Sequence, residues 1–444
     1  MEKPNTQMGT GGGPQFLSKE VAKLVLFSSL GIFLFFVPMT VGGTSSISLD
    51  HMVTWIRETF PSLLPVYALI VILGGALRPW IVGSWNRSRM DRVFAVFKGF
   101  GLFIALLLVS GVGPSWLFAP DIGPFLFDKL VIPVGLLVPI GSVFLTLLVG
   151  YGLLEFVGVF LRPVMRRIWH TPGRSAIDAV ASFVGSYSIG LLITNRLYRE
   201  RRYTVKEATI IATGFSTVSA TFMVVVAKTL GLMPYWNLYF WLTLVITFLV
   251  TAITVRIPPI SRKSDAYHGG DAGHPESAPA TSLMRTAWRE AVTAAGKSPS
   301  LGRNVWDHLK DGLVMTMEIL PSILSVGLIG LLLAKYTPLF DWIGYLFFPF
   351  TWLLQLPEPL LAAKAAAVEI AEMFLPALLT ADAPLVTRFV IGIVSVSSIL
   401  FFSASIPCIL STEIPVHMGE LLIIWMERTI LTLLIAAPLA HLIL

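Results

Sequence analysis

Two carboxylates and three hydroxyl-rich stretches carry most of the chemistry open to this chain. Glu369 and Glu372 stand in the apolar run Glu369-Ile370-Ala371-Glu372-Met373-Phe374-Leu375-Pro376, a spacing that predicts one shared face if the run is helical. A carboxylate at membrane depth costs ~3 kcal/mol on insertion scales, so by default it faces a cavity or a partner. Such groups attract amines, hydrogen-bond sugar hydroxyls or carry protons. The alternative is that Lys364 neutralises one of them at the surface. The hydroxyls gather in Gly185-Ser186-Tyr187-Ser188, in Thr213-Gly214-Phe215-Ser216-Thr217-Val218-Ser219-Ala220-Thr221 and in Phe401-Phe402-Ser403-Ala404-Ser405-Ile406-Pro407. A lipid-facing span would carry Leu, Val and Ile there. In hydrocarbon an opened backbone is tolerated only where protein or a cavity surrounds it, so broken segments point to binding sites. The competing reading is that the serines let helices pack closely.

The elements that hold these residues must be membrane-spanning. The chain has 444 residues, of which 55% are hydrophobic and 13% charged, with a mean hydropathy of +0.78. That is far too apolar for a soluble domain. The net charge of +6 sits in short segments beside apolar runs, the topological bias of membrane proteins and not a nucleic-acid footprint. A single cysteine, Cys408, excludes an internal disulfide, and no cofactor or structural metal is expected.

Residues 1–18, rich in Gly and Asn, read as a disordered tail, followed by N-terminal scaffold helices over 19–129. Apolar runs of about 20 residues, the length that a bilayer core of ~30 Å requires, start near Lys19, Leu63, Val93, Leu130, Ala208 and Leu238. Others start near Leu313, Leu385 and Leu421, with split apolar segments at 175–197 and 360–380. Between them, 256–311 reads as a cytoplasmic linker, with Ser282 to Ala295 either an amphipathic surface helix or part of a solvated tether. Arginines at 87, 89, 92, 162, 166, 167, 174, 196, 199, 201 and 202 fall on one face. By the positive-inside rule that face is cytoplasmic, placing the amino terminus inside and the carboxyl terminus outside. The fold expected is an all-α polytopic membrane protein of about nine spans and two re-entrant hairpins.

The two halves correspond. Gly158 and Pro163 match Gly344 and Pro349 at one offset (344 − 158 = 186; 349 − 163 = 186), which also sets Thr217 on Ser403 and Ser219 on Ser405. The first gate-like unit would be 130–255 and the second 312–444. The order of the spans and the arginine pattern give them opposite orientations in the membrane, the corresponding span running inward in the first and outward in the second. Inverted repeats with paired broken helices are the architecture of secondary transporters.

Interfacial helix, hairpin and Ser/Thr-rich broken helix, repeated twice over roughly 130–444, resemble the nucleoside-recognition or gate-domain family, most nearly its YjiH-type members. The arrangement is also similar to concentrative nucleoside transporters, in which hairpin tips and broken helices hold substrate and often sodium. The stretch Ile211 to Thr221 is like their substrate-side broken helix. Their first hairpin carries a Gln-Thr-Glu-type tip, where this chain has Gly185-Ser186-Tyr187-Ser188-Ile189-Gly190. The resemblance therefore implies the fold without implying nucleoside specificity.

The candidate substrate residues are Tyr187, Asn195, Phe215, Glu369, Glu372, Phe402, Ser403 and Ser405. Asn195 has the alternative of capping the hairpin beside Arg196, and Asp178 reads as a helix-start residue beside Arg174. A sodium site is expected from Ser186, Ser188, Thr213, Ser216 and Thr217, with H+ on a glutamate as the other coupling ion. The function expected is secondary, elevator-like transport of a small polar solute such as a nucleoside, amino acid or short peptide, in preference to a dianion. A membrane assembly or regulatory protein is the alternative. No Gly-x-Ser-x-Gly elbow or His-Glu-x-x-His helix favours an enzyme. Expected partners are the solute, the lipid of an inner membrane and further copies of the chain.

Overall fold

In a computed structural model of the protein the described residues are 14–41, 44–86, 89–120, 122–184, 187–270 and 282–444. Among them the chain is helical apart from a short ribbon, Met39–Val41 paired with Thr44–Ser46. The scaffold comprises α1 (Pro14–Phe36), α2 (Ser48–Thr59), α3 (Leu64–Ile81), α4 (Arg89–Ser110) and the short α5 (Gly123–Leu126). Helix α1 starts inside the stretch expected to be disordered, and the rest of that tail, 1–13, lies outside the described residues.

The first unit runs α6 (Ile132–Val149), α7 (Leu153–Val164), α8 (Ser175–Val184), α9 (Tyr187–Arg199), α10 (Val205–Gly214), α11 (Ala220–Thr229) and α12 (Trp236–Thr254). After α13 (Leu283–Lys297) the second unit runs α14 (Leu301–Tyr336), α15 (Leu339–Gly344), α16 (Phe348–Leu353), α17 (Pro359–Val368) and α18 (Leu375–Leu379), then α19 (Leu385–Ser397), α20 (Ser405–Leu410) and α21 (Met418–Ile443). The order is the same twice: long helix, short surface helices, hairpin, broken helix, long helix. Among the described residues five helices, α3, α4, α12, α14 and α21, are long and apolar enough to cross a membrane.

Local chemistry explains the breaks. Helix α10 starts on a capping box, in which Thr204 Oγ1 accepts from the Glu207 N–H and Glu207 accepts from the Thr204 N–H. It stops at Gly214, and Ser219, in extended conformation, caps α11 by accepting from the Phe222 N–H at 3.3 Å. In the second unit Ile399 takes a left-handed conformation (φ 67°), strain that a β-branched residue adopts only when its surroundings impose it. Ser405 Oγ then accepts from the Phe401 N–H at 2.9 Å. Two further N–H groups of this break, Phe402 and Ser403, donate to the carbonyls of Ile370 and Ala371 at 2.7 and 3.0 Å. The second hairpin and the second broken helix thus close each other's open backbone, as a buried chain requires.

Small residues set the spacing. A Cβ on Gly190 would lie 1.8 Å from Ser182 Oγ, so α8 and α9 approach more closely than any side chain there permits. Gly190→Ala is expected to destabilise the protein by about 1–3 kcal/mol, the usual cost of overpacking. A lowered thermal midpoint in detergent checks this, and an unchanged midpoint would show that the hairpin arms can spread freely. Gly101 does the same for the scaffold, seating α4 on the Pro321 carbonyl of α14.

The described parts of the expected linker, 256–270 and 282–311, are structured, and Ser282 to Ala295 takes the helical one of its two expected forms. Helix α13 buries Ala287, Ala291 and Ala295 and packs on α7 and α1. Residues before it also bond to the core, the Val205 N–H donating to Ala266 O at 2.9 Å and Lys263 Nζ donating to Pro415 O at 2.7 Å. Small residues repeating every four positions give a helix a flat face for close packing, and that gain outweighs the polar composition around it.

Candidate functional site

A cavity of about 280 Å³ opens where the two units meet the scaffold. The first unit contributes Tyr187 from the start of α9, Val218 and Ser219 from its break, and Phe222 from α11. The second contributes Glu372 and Met373 from the hairpin tip and Phe401, Ser403 and Ala404 from its break, with Cys408 on α20. The units interlock crosswise. Tyr187 meets Phe401 edge to face at 6.1 Å, and Phe222 meets Phe374 edge to face at 6.0 Å. Two long helices close the remaining wall: Asp91, Phe94 and Lys98 of α4 in the scaffold, and Met315, Glu318 and Ser322 of α14, the first helix of the second unit. Glu318 forms an ion pair with Arg78 of α3.

The two glutamates do not share a helical face, contrary to the spacing argument. Helix α17 ends at Val368, and both carboxylates lie in the irregular tip before α18. Glu372 lines the cavity, and its Oε2 accepts from the Phe374 N–H at 2.7 Å. Glu369 turns away into the core, fully buried, and accepts from Trp425 Nε1 while its other oxygen has no hydrogen-bond partner. Lys364 neutralises neither; it pairs with Asp341 at 2.9 Å.

The other candidates divide. Tyr187 and Ser403 line the cavity beside Glu372. Phe215 is buried in a cluster with Trp169 and Phe248, Phe402 is 39% exposed, and Ser405 Oγ is engaged with the Phe401 backbone. Asn195 Oδ1 accepts from the Glu413 N–H at 2.9 Å, tying the hairpin arm to the loop after α20. At the same rim Arg199 pairs with Glu413 at 3.2 Å and Arg196 with Glu200 at 2.9 Å. That hydrogen bond from Arg196 holds the exposed Glu200 carboxyl below the usual carboxylate range. Asp178 is no simple helix-start residue: it is buried and accepts from Tyr203 Oη at 2.8 Å.

Of the residues expected to hold sodium, Ser186 lies outside the described residues, as does the side chain of Ser188. Thr213 and Ser216 donate to the Thr209 and Ile211 carbonyls of their own helix at 2.8 and 3.3 Å. Thr217 is buried in the break, and none of the three is part of the cavity wall. The sequence reading passed over Asp91 and Lys98, which lie inside or beside an apolar span. A charge inside a span is itself a signal, and Lys98 could have been found by it.

Residues 131–233 match the family model described as Gate, nucleoside recognition. An uncharacterised protein of Alkalihalophilus pseudofirmus (strain OF4) is 34% identical, with 94% of each chain covered. Among solved structures, a doubly substituted CNTnw in an outward-facing state gives a TM-score of 0.40 at 15% identity, with 97% of this chain and 99% of that one covered.

Proposed function

We propose, on the premise that this chain belongs to one family with the A. pseudofirmus protein and carries a nucleoside-recognition Gate domain at 131–233, that it is a secondary active carrier of a small polar solute. The observation that carries this reading is the composition of the cavity wall. One carboxylate (Glu372), two hydroxyls from opposite breaks (Ser219 and Ser403) and the ring of Tyr187 converge on a space of about 280 Å³. That is the small end of the range for ligand pockets, which combine an apolar lining with a few convergent polar groups. A nucleoside, an amino acid or a short peptide offers the amine or hydroxyls that such a wall can pair, and a dianion would meet three carboxylates, Glu372, Asp91 and Glu318, against the single ammonium of Lys98.

The wall has two kinds of owner. Hairpin tips and breaks form one side, and α4 of the scaffold with α14, the long first helix of the second unit that packs on it, forms the other. Movement of the hairpins and breaks along those two helices would carry the solute across, which is the elevator form of alternating access. A second cavity, lined by Val225 and Lys228 of α11 and by Leu378, lies one helical turn beyond Phe222. The edge-to-face pair of Phe222 and Phe374 lies beside the solute cavity.

H+ suits this site better than Na+ as the coupling ion, because Glu372 is in the wall whereas Thr213, Ser216 and Thr217 are not. Two measurements test the reading. Nucleosides, amino acids, short peptides and carboxylates are screened by thermal shift on purified protein, and each hit is tested for slowing thiol modification of Cys408. A solute that raises the midpoint and protects Cys408 is expected, with uptake into proteoliposomes that stops on collapse of the proton gradient. If no solute of these classes does either, the chain is not a carrier and the assembly or regulatory reading takes its place.

A further inference from the structure

Arg428 is the largest fully buried side chain among the described residues, in the middle of the apolar helix α21. A guanidinium at that depth needs compensation, and its partners are unusual. Nε and one terminal nitrogen donate to a single acceptor, the Ser397 carbonyl, at 2.9 and 2.7 Å. Ser397 is the last residue of α19, where the second break begins. The other terminal nitrogen donates to Thr251 Oγ1 at 2.9 Å, and that hydroxyl lies 3.0 Å from the carbonyl of Gly214, the last residue of α10. The approach there is close, since a Cβ on Gly214 would lie 2.4 Å from Thr251 Cγ2.

One cation therefore sits between the carboxyl ends of both broken half-helices, bonded directly to the end of α19 and set beside the end of α10 through the Thr251 hydroxyl, which lies 3.0 Å from Gly214 O and 2.8 Å from Thr247 O. Those ends carry unsatisfied carbonyls and the negative pole of the helix dipole, and Glu369, with one oxygen unpartnered, adds a carboxylate nearby. Without Arg428 this would be a nest for a free cation, of the kind that unwound carbonyls and half-helix carboxyl ends make in broken-helix transporters. The first unit shows the contrast. At the offset of 186 the counterpart of Ser397 is Ile211 (397 − 186 = 211), whose carbonyl is closed by the Phe215 N–H and Ser216 Oγ with no cation. The counterpart of Arg428 is Leu242 (428 − 186 = 242).

We propose that Arg428 is a tethered cation occupying the place at the half-helix ends that a free Na+ would otherwise fill, so that this protein needs no sodium to hold its breaks in order. Arg428 is a positioning residue, since it does not line the solute cavity. The inference concerns the breaks and not the identity of the solute, and its test reads cation response in the absence of solute, so it can fail while the carrier reading stands.

The test uses full-length protein in detergent at constant ionic strength, with thermal midpoints in NaCl, LiCl and choline chloride and with low millimolar guanidinium chloride added. Wild type is expected to have the same midpoint in Na+ and in choline. Arg428→Ala is expected to lose several degrees in choline and to regain part of that loss with Na+ or guanidinium. Arg428→Lys, which keeps the charge, is expected to stay closer to wild type than Arg428→Met, which keeps only bulk. A wild-type midpoint that rises specifically in Na+ would overturn the proposal. So would a folded Arg428→Ala that responds to none of the cations. If Arg428→Ala does not fold, the Lys and Met pair decides: equal midpoints would show that the charge has no role, and a folded Lys variant beside an unfolded or weaker Met variant supports the tethered cation.

Discussion

Glu372→Gln is expected to weaken solute binding by roughly ten- to a hundredfold while leaving the thermal midpoint of the unliganded protein close to wild type. Hydrogen bonds to charged groups contribute about 1.5–3 kcal/mol, and each 1.4 kcal/mol is about tenfold in affinity. The fold should tolerate the change because the local demand on this side chain, acceptance from the backbone N–H groups of Phe374 and Leu375, can be met by an amide oxygen. The variant also removes a titratable group from the cavity wall, so uptake by Glu372→Gln should no longer respond to an imposed proton gradient. Titration of the solute found by thermal shift, on wild type and variant side by side, gives the measurement. Unaltered affinity would take Glu372 out of the site and leave the wall without its main polar group.

How far this site could be read from the chain depends on the range of the interactions that built it. Breaks at Thr213–Thr221 and Phe401–Pro407, and the split at Gly185, are visible because Gly, Pro and hydroxyl residues interrupt apolar runs, and such interruptions act locally. The division between Glu369 and Glu372 is not visible. The three-residue spacing promises a common face only while the helix continues, and α17 stops at Val368, where the tip instead receives N–H groups from the second break about thirty residues downstream. Phe215 and Phe402 look alike as aromatic neighbours of broken backbone, yet one is buried against Trp169 and the other is 39% exposed. Long-range packing decided each of these. The wall formed by α4 and α14 is the clearest case, since Lys98 and Glu318 join Glu372 only through the seating of α4 on α14 at Gly101. No local pattern in the chain records that contact. The alanine face of α13 was a local signal of the other kind, present in the sequence at Ala287, Ala291 and Ala295 but outweighed by the charged residues between them.

The same reasoning assigns Glu369 the opposite behaviour. Glu369→Ala is expected to destabilise the protein by about 2–5 kcal/mol, the cost of a large-to-small change at a buried site that also leaves a buried donor unpaired, with solute affinity per folded molecule unchanged. Three losses combine. The Trp425 indole N–H loses its acceptor, a fully buried side chain is replaced by a smaller one beside Phe347 and Trp425, which pack edge to face at 5.4 Å, and Arg428 loses the carboxylate that interacts with it. Glu369→Gln should fall between wild type and alanine, because an amide oxygen can still accept from Trp425 but brings no charge to Arg428. Thermal midpoints of the three proteins, followed by solute titration on the folded fraction, separate the two glutamates. If Glu369→Ala kept the wild-type midpoint but lost solute binding, Glu369 would be a ligand reached in another state of the carrier, and Arg428 would be held at the breaks by backbone carbonyls alone.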